Sequence, residues 1–179
     1  MRKLILFAGL PGVGKSTISK KLSKKIGATL VNIDDFKKCD VDPVLVRSQI
    51  DPPELRWVYY QKALNYVFGL FERGTATVIM DEVFHLHSLR AQLEALCVQQ
   101  GVDVLWVEVR CSYQVVKQRL QSKKREGHLL STQEALNMYL LFRDIFEAFP
   151  ARGQQCIIVD NETDSAMDVF GNGIFGERV

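Results

Sequence analysis

With 179 residues, 47% hydrophobic and 25% charged, the chain has the size and composition of one compact globular domain spanning residues 1–179. A net charge of +2 removes any whole-molecule electrostatic case for nucleic acid as a partner, and no apolar stretch approaches the roughly 20 residues that a membrane helix needs. Four cysteines (Cys39, Cys97, Cys111, Cys156) lie far apart without CxxC spacing, which argues against a metal knuckle or a disulfide framework and fits reduced thiols in a cytoplasm.

The chain opens on an apolar run, residues 4–8, behind Met1-Arg2-Lys3; it stops at a Gly-rich loop and a lysine, so it predicts a buried first strand and not a signal peptide. An amphipathic run predicts a helix over 15–25, closed by Gly27, and a second strand follows over 29–33. Residues 34–51 form the one long irregular segment, and a connection of that length usually serves a site. Helices are predicted over 52–73, 88–100, 113–126, 132–149 and 164–170, and further strands over 77–80, 102–109 and 156–159. Gly74, Gly101 and Gly127 close helices, while Asp51 with Glu54 and Ser131 with Glu134 read as capping boxes. Strands alternating with helices imply an α/β fold with a five-stranded, mainly parallel sheet covered on both faces.

The most specific feature is Gly9-Leu10-Pro11-Gly12-Val13-Gly14-Lys15-Ser16, a Walker A string placed between a strand and a helix. Its glycines let successive backbone N–H groups point inward at phosphate oxygens, and the next helix adds its positive end. Gly9 through Ser16, with Thr17, are therefore the expected ATP-binding residues. Lys15 would reach the β- and γ-phosphates and Ser16 would ligate Mg²⁺.

Three further features follow in order: Asp34-Asp35 after the second strand, Asp81-Glu82 after the third, and a basic run from Arg119 to Arg125. With the loop and Arg90, they make the chain resemble P-loop kinases of the adenylate kinase, shikimate kinase and zeta-toxin kind. It most resembles the small AAA_33-type kinases that include chloramphenicol phosphotransferase. The resemblance spans about residues 4–160 and implies a three-layer, adenylate kinase-like P-loop sandwich.

Two carboxylates at a strand end face the crevice where α/β proteins hold ligands, and one could orient and deprotonate an acceptor hydroxyl. In the resembled kinases an aspartate here does so. Asp34 is the better aligned and Asp35 its rival; the competing reading is that one of them caps a short helix near Phe36. Asp81 stands where P-loop proteins keep a carboxylate that holds Mg²⁺ through water. Glu82 reads equally as a water-activating acid or as a carboxylate at a loop edge. Arg90 matches an arginine of the resembled kinases and is a further candidate acceptor residue, against the alternative of a solvated helix residue.

The basic run looks like a short lid over about residues 117–131, with Arg119 and Arg125 closing on the polyphosphate. The alternative is a solvated helix C-terminus. Lys123 stands where the family spacing calls for a second arginine, and the linker over 127–130 is too short for a long inserted lid. The acceptor segment lies at about 36–56. Arg47, Arg56 and Trp57, with Tyr59 and Tyr60, would suit a ring-bearing or phosphorylated acceptor. His85-x-His87 lacks a third ligand, so magnesium is the one metal expected.

The leading functional reading is an ATP-dependent kinase acting on a hydroxyl of a small molecule, with a nucleoside or nucleotide kinase as its nearest variant. A P-loop regulatory module is the rival class. After the fifth strand the chain offers Asp160-Asn161-Glu162 and no guanine-specific Asn-Lys-x-Asp, which argues against a GTPase switch. A polynucleotide kinase would need a continuous basic groove.

Overall fold

The computed structural model describes residues 1–37, 50–122, 131–149 and 156–163. Five strands form the sheet: β1 (Arg2–Ala8), β2 (Thr29–Asn32), β3 (Thr77–Asp81), β4 (Val102–Arg110) and β5 (Cys156–Asp160). Their order is β2-β3-β1-β4-β5, and every pairing is parallel. Between them run α1 (Lys15–Ile26), α2 (Ile33–Lys37), α3 (Pro53–Glu72), α4 (His87–Gln99), α5 (Tyr113–Ser122) and α6 (Thr132–Ile145).

The alternation along β1 explains the three layers. Leu4, Leu6 and Ala8 face one core with Tyr60, Leu64 and Val67 of α3 and Leu93 of α4. Ile5 and Phe7 face the other, with Ile18 and Leu22 of α1, Val116 of α5 and Tyr139 of α6. A strand buried on both faces must be apolar throughout, which is why residues 4–8 carry no polar group. Because β1 lies between β3 and β4, the chain leaves it in one direction and returns on the other side. The C-terminal ends of β1 and β3 therefore border the crevice expected of an open α/β sheet.

Several boundaries differ from the sequence reading. The segment after β2 is helical at its start: α2 begins at Ile33, and Asn32 Oδ1 accepts from Asp34 N at 3.1 Å. The capping box at Ser131 and Glu134 is complete on both sides, whereas the one expected at Asp51 is absent. There Pro52 is the cap residue, and Asp51 faces Arg56 instead. Helix α6 ends at Ile145 and not near Phe149, because the chain turns out to bond the β3–α4 loop. Glu147 N donates to the His85 carbonyl at 2.9 Å, and the Glu147 carboxylate accepts from His87 N at the start of α4. The helix expected over 164–170 and the end of the one expected over 113–126 lie outside the described residues. Tyr59 and Tyr60 are core residues and not pocket walls, at 1% and 0% exposure. No described helix is long and apolar enough to cross a membrane.

Candidate active site

The loop between β1 and α1 is shaped by glycines where nothing else fits. Gly9 has φ 139°, and a Cβ there would run into the Val109 carbonyl oxygen of β4. Gly14 has φ 100°, and its Cβ would collide with Asn161 Nδ2. Asn161 follows β5 and donates that Nδ2 to the Val13 carbonyl at 2.8 Å, so the end of the sheet props the loop. Lys15 curls back over the loop, donating Nζ to the carbonyls of Gly9 at 2.8 Å and Leu10 at 2.9 Å. Burial lowers its pKa, opposed by the carboxylates of Asp81, Glu82 and Asp34, so this ammonium stands among three acids. The loop residues thus form a narrow, glycine-lined backbone cradle with a cation across it, a fit for a polyphosphate.

Asp81 ends β3 buried at 9% exposure, with Ser19 Oγ 3.5 Å from Oδ2. Ser16 and Thr17 are exposed at the start of α1. Serine hydroxyl and carboxylate are oxygen donors suited to Mg²⁺.

On the other side of the crevice, Asp34 and Asp35 sit in the first turn of α2, not at a strand end. Their facing is therefore set by helical rotation and not by the two-residue alternation of a strand. Asp34 lies 3.5 Å from Lys37 Nζ, and Asp35 is exposed. Burial raises the Asp34 pKa, Glu82 reinforces the shift and Lys37 opposes it. A base with a raised pKa is better matched to a hydroxyl proton than an ordinary carboxylate.

Glu82 is not a carboxylate at a loop edge. It is 8% exposed and binds two cations, Lys37 Nζ at 2.8 Å and Arg56 Nη1 at 3.3 Å. Burial would raise its pKa, but Lys37 and Arg56 override this and bring it down to about 2. Lys37 and the bridging role of Glu82 were missed in the sequence. The available signal was a lysine three residues after Asp34 on a short helix.

The remaining expected residues divide. Arg56 belongs to this network, with its guanidinium 5.0 Å above the Phe142 ring. Trp57 is half-buried and packs against the main core. Arg90, read as an acceptor residue, is fully buried: Nη1 donates to the Phe84 carbonyl at 2.8 Å and Nη2 to the carbonyls of Glu147 at 2.8 Å and Ala148 at 3.2 Å. Its guanidinium stacks on Phe149 at 4.1 Å, so it ties the β3–α4 loop to the chain after α6 and does not face the crevice. That tie also holds Phe84 at φ 49°, wedged between Tyr60 and Trp106. Arg119 donates Nη1 to the Asn161 carbonyl at 2.6 Å, beside the residue that props the phosphate loop. Arg47 and Arg125 lie outside the described residues.

Comparison with known proteins follows the same lines. The AAA_33 family model, described as an AAA domain, matches residues 4–143. The chain belongs to the AAA_33 family. A shikimate kinase from Corynebacterium glutamicum is 27% identical over 115 residues, 59% of this chain and 58% of that protein, so the match spans less than two thirds of the relative's length. Among solved structures, a sugar kinase from Janibacter sp. HTCC2649 superposes with TM-score 0.72 at 17% identity, covering 98% of this chain and 95% of that one. A gluconokinase from Sinorhizobium meliloti 1021 gives 0.65 at 15% identity over the whole of both chains. The Mycobacterium tuberculosis APS kinase gives 0.64 at 16% identity, covering 98% and 96%. These structures share the three-layer α/β fold of this AAA_33 member.

Proposed function

We propose that this protein is an ATP-dependent phosphotransferase that moves the γ-phosphoryl group to a hydroxyl of a small molecule. The observation that carries the reading is the setting of Lys15: one ammonium over the glycine cradle stands in the field of both Asp81 and Asp34. These three groups would then serve as phosphate anchor, metal-holding carboxylate and hydroxyl-orienting carboxylate of one site. The kinases among its relatives and structural neighbours point the same way.

In this reading the backbone N–H groups of residues 9–17 hold the ATP phosphates, and Lys15 leaves the loop carbonyls for the β- and γ-phosphates. Ser16 and Asp81 are the residues that would hold Mg²⁺, which would supply charge neutralisation on the transferred group. Asp34 orients the acceptor hydroxyl and takes its proton as the new O–P bond forms. The bond from the γ-phosphorus to the bridging oxygen breaks and ADP leaves. Asp35, more exposed, is the alternative base. Arg119, and Arg125 beyond the described residues, would neutralise charge on the polyphosphate. The free thiols of Cys97, Cys111 and Cys156 fit a reducing cytoplasm.

The test is ADP release from Mg²⁺·ATP in the presence of sugars, sugar acids, cyclic polyols, nucleosides, nucleotides and hydroxylated antibiotics. At least one acceptor should raise the rate well above the background hydrolysis. Release that is indifferent to every acceptor would leave a nucleotide-binding module and reject the kinase reading.

A further inference from the structure

The acceptor side carries two buried cations that the phosphoryl chemistry does not use. Lys37 closes α2 and Arg56 lies in the first turn of α3, at 8% and 3% exposure. Buried cations beside a substrate crevice ordinarily recognise a carboxylate or phosphate of the substrate, the arginine by its planar fork. Here both are already occupied from within the chain. One oxygen of Glu82, Oε2, takes Lys37 Nζ at 2.8 Å, and the other, Oε1, takes Arg56 Nη1 at 3.3 Å. Lys37 also stands 3.5 Å from Asp34, and Arg56 stands 4.0 Å from Asp51 while giving Nε to the Asp51 carbonyl at 3.3 Å. Among the described residues, three carboxylates therefore face two cations. The adjoining wall is apolar, with Phe142 between Arg56 and the edge of the buried His85 ring.

An anionic acceptor entering here would have to compete with Glu82 for its cations, and displacing it would leave that carboxylate buried and unpaired, an arrangement proteins do not tolerate cheaply. It would also meet the carboxylates of Asp34 and Asp51. We infer that Glu82 is a built-in replacement for an acceptor's anionic group: a specificity-determining residue that reserves the site for uncharged hydroxyl compounds and turns away carboxylates and phosphates. The inference rests on the kinase reading only for what the acceptor undergoes, not for its charge. It separates this chain from relatives named for shikimate and gluconate, both of which are carboxylic acids.

Glu82→Gln keeps the side-chain shape and leaves Lys37 and Arg56 without their shared counter-ion. Binding is measured with a non-hydrolysable ATP analogue and Mg²⁺ present, for matched pairs: gluconate and sorbitol, glycerate and glycerol, glucuronate and glucose. At least one carboxylate should bind Glu82→Gln ten or more times tighter than the parent, while its neutral partner changes less than threefold. If no carboxylate gains, or each neutral partner gains equally, the inference is overturned.

Should Glu82→Gln fail to fold, Lys37→Met with and without Glu82→Gln carries the same comparison. The double variant frees Arg56 alone and should bind the carboxylate more tightly than Lys37→Met; equal binding overturns the idea. ADP release by the same protein variants, measured separately with Mg²⁺·ATP in place of the analogue, separates the two readings. A carboxylate gain without acceptor-dependent ADP would refute the kinase and keep the charge filter. A parent enzyme that turns over carboxylates in preference to their neutral partners would refute the filter and keep the kinase.

Discussion

The phosphate loop and the acceptor side meet at the ends of β1 and β3, yet they are made of different material. The loop is one contiguous stretch that has no side chain at Gly9, Gly12 and Gly14 and that would work through its backbone N–H groups; its shape is enforced by Val109 and Asn161 pressing on Gly9 and Gly14. Among the described residues, the acceptor side is built of charged side chains from α2, α3 and the end of β3, and Lys37 and Arg56 are both paired with carboxylates. A backbone cradle binds any polyphosphate alike, whereas a side-chain lattice can be retuned one residue at a time. On the proposed function, the donor half could thus stay constant while the acceptor half would decide what is phosphorylated.

The largest expected effect is on the donor half. Lys15→Met removes the cation across the cradle and should lower acceptor-dependent turnover by about 10²–10⁴-fold in steady-state kinetics. Next is the support beneath the acceptor half. Arg90→Met leaves the carbonyls of Phe84, Glu147 and Ala148 without their donor and should cost about 3–5 kcal/mol in denaturant unfolding. A loss below about 1 kcal/mol would show that Arg90 is not the tie described. Gly14→Ala should then weaken ATP analogue binding by at least about tenfold, because both φ and the Asn161 amide oppose a Cβ. Asn161→Ala should weaken it less and, combined with Gly14→Ala, recover part of the loss.

The sequence made the donor half legible for the same physical reason that the half is uniform: eight adjacent residues carry the motif, and the strand before them is apolar on both faces. The five strands were likewise readable from runs such as residues 4–8. The acceptor half was not. Lys37, Arg56 and Glu82 are separated by up to 45 positions, and nothing local says that one carboxylate takes both cations. Asp34 and Asp35 were placed on a strand end because β2 runs straight into α2, with Asn32 alone marking the change. Arg90 read as an acceptor residue or a solvated helix arginine. Only the tertiary contact with the chain after α6 reveals its place, and that contact also cuts the helix four residues short of the expected end.

A smaller effect concerns pH. His85 is 3% exposed and faces Arg56 of α3, Glu82 after β3, Arg90 of α4 and Lys37 of α2; burial, then Arg56, lowers its pKa to about 4. The unfolded chain therefore binds a proton below about pH 6.5 that the folded chain refuses until about pH 4. Stability should fall as pH drops through that window, by up to about 3 kcal/mol. The slope should flatten in a His85→Gln variant followed by urea unfolding at each pH. An unchanged slope would move the effect to other groups.

The central claim is that the two halves are separable, the loop holding the nucleotide and Asp34 serving the acceptor. Asp34→Asn tests it most directly, with ATP analogue affinity and acceptor-dependent ADP release measured on the same protein. The account predicts affinity within about threefold of the parent and turnover reduced by about 10²-fold or more. Unchanged turnover, or turnover and nucleotide affinity lost together, would contradict it.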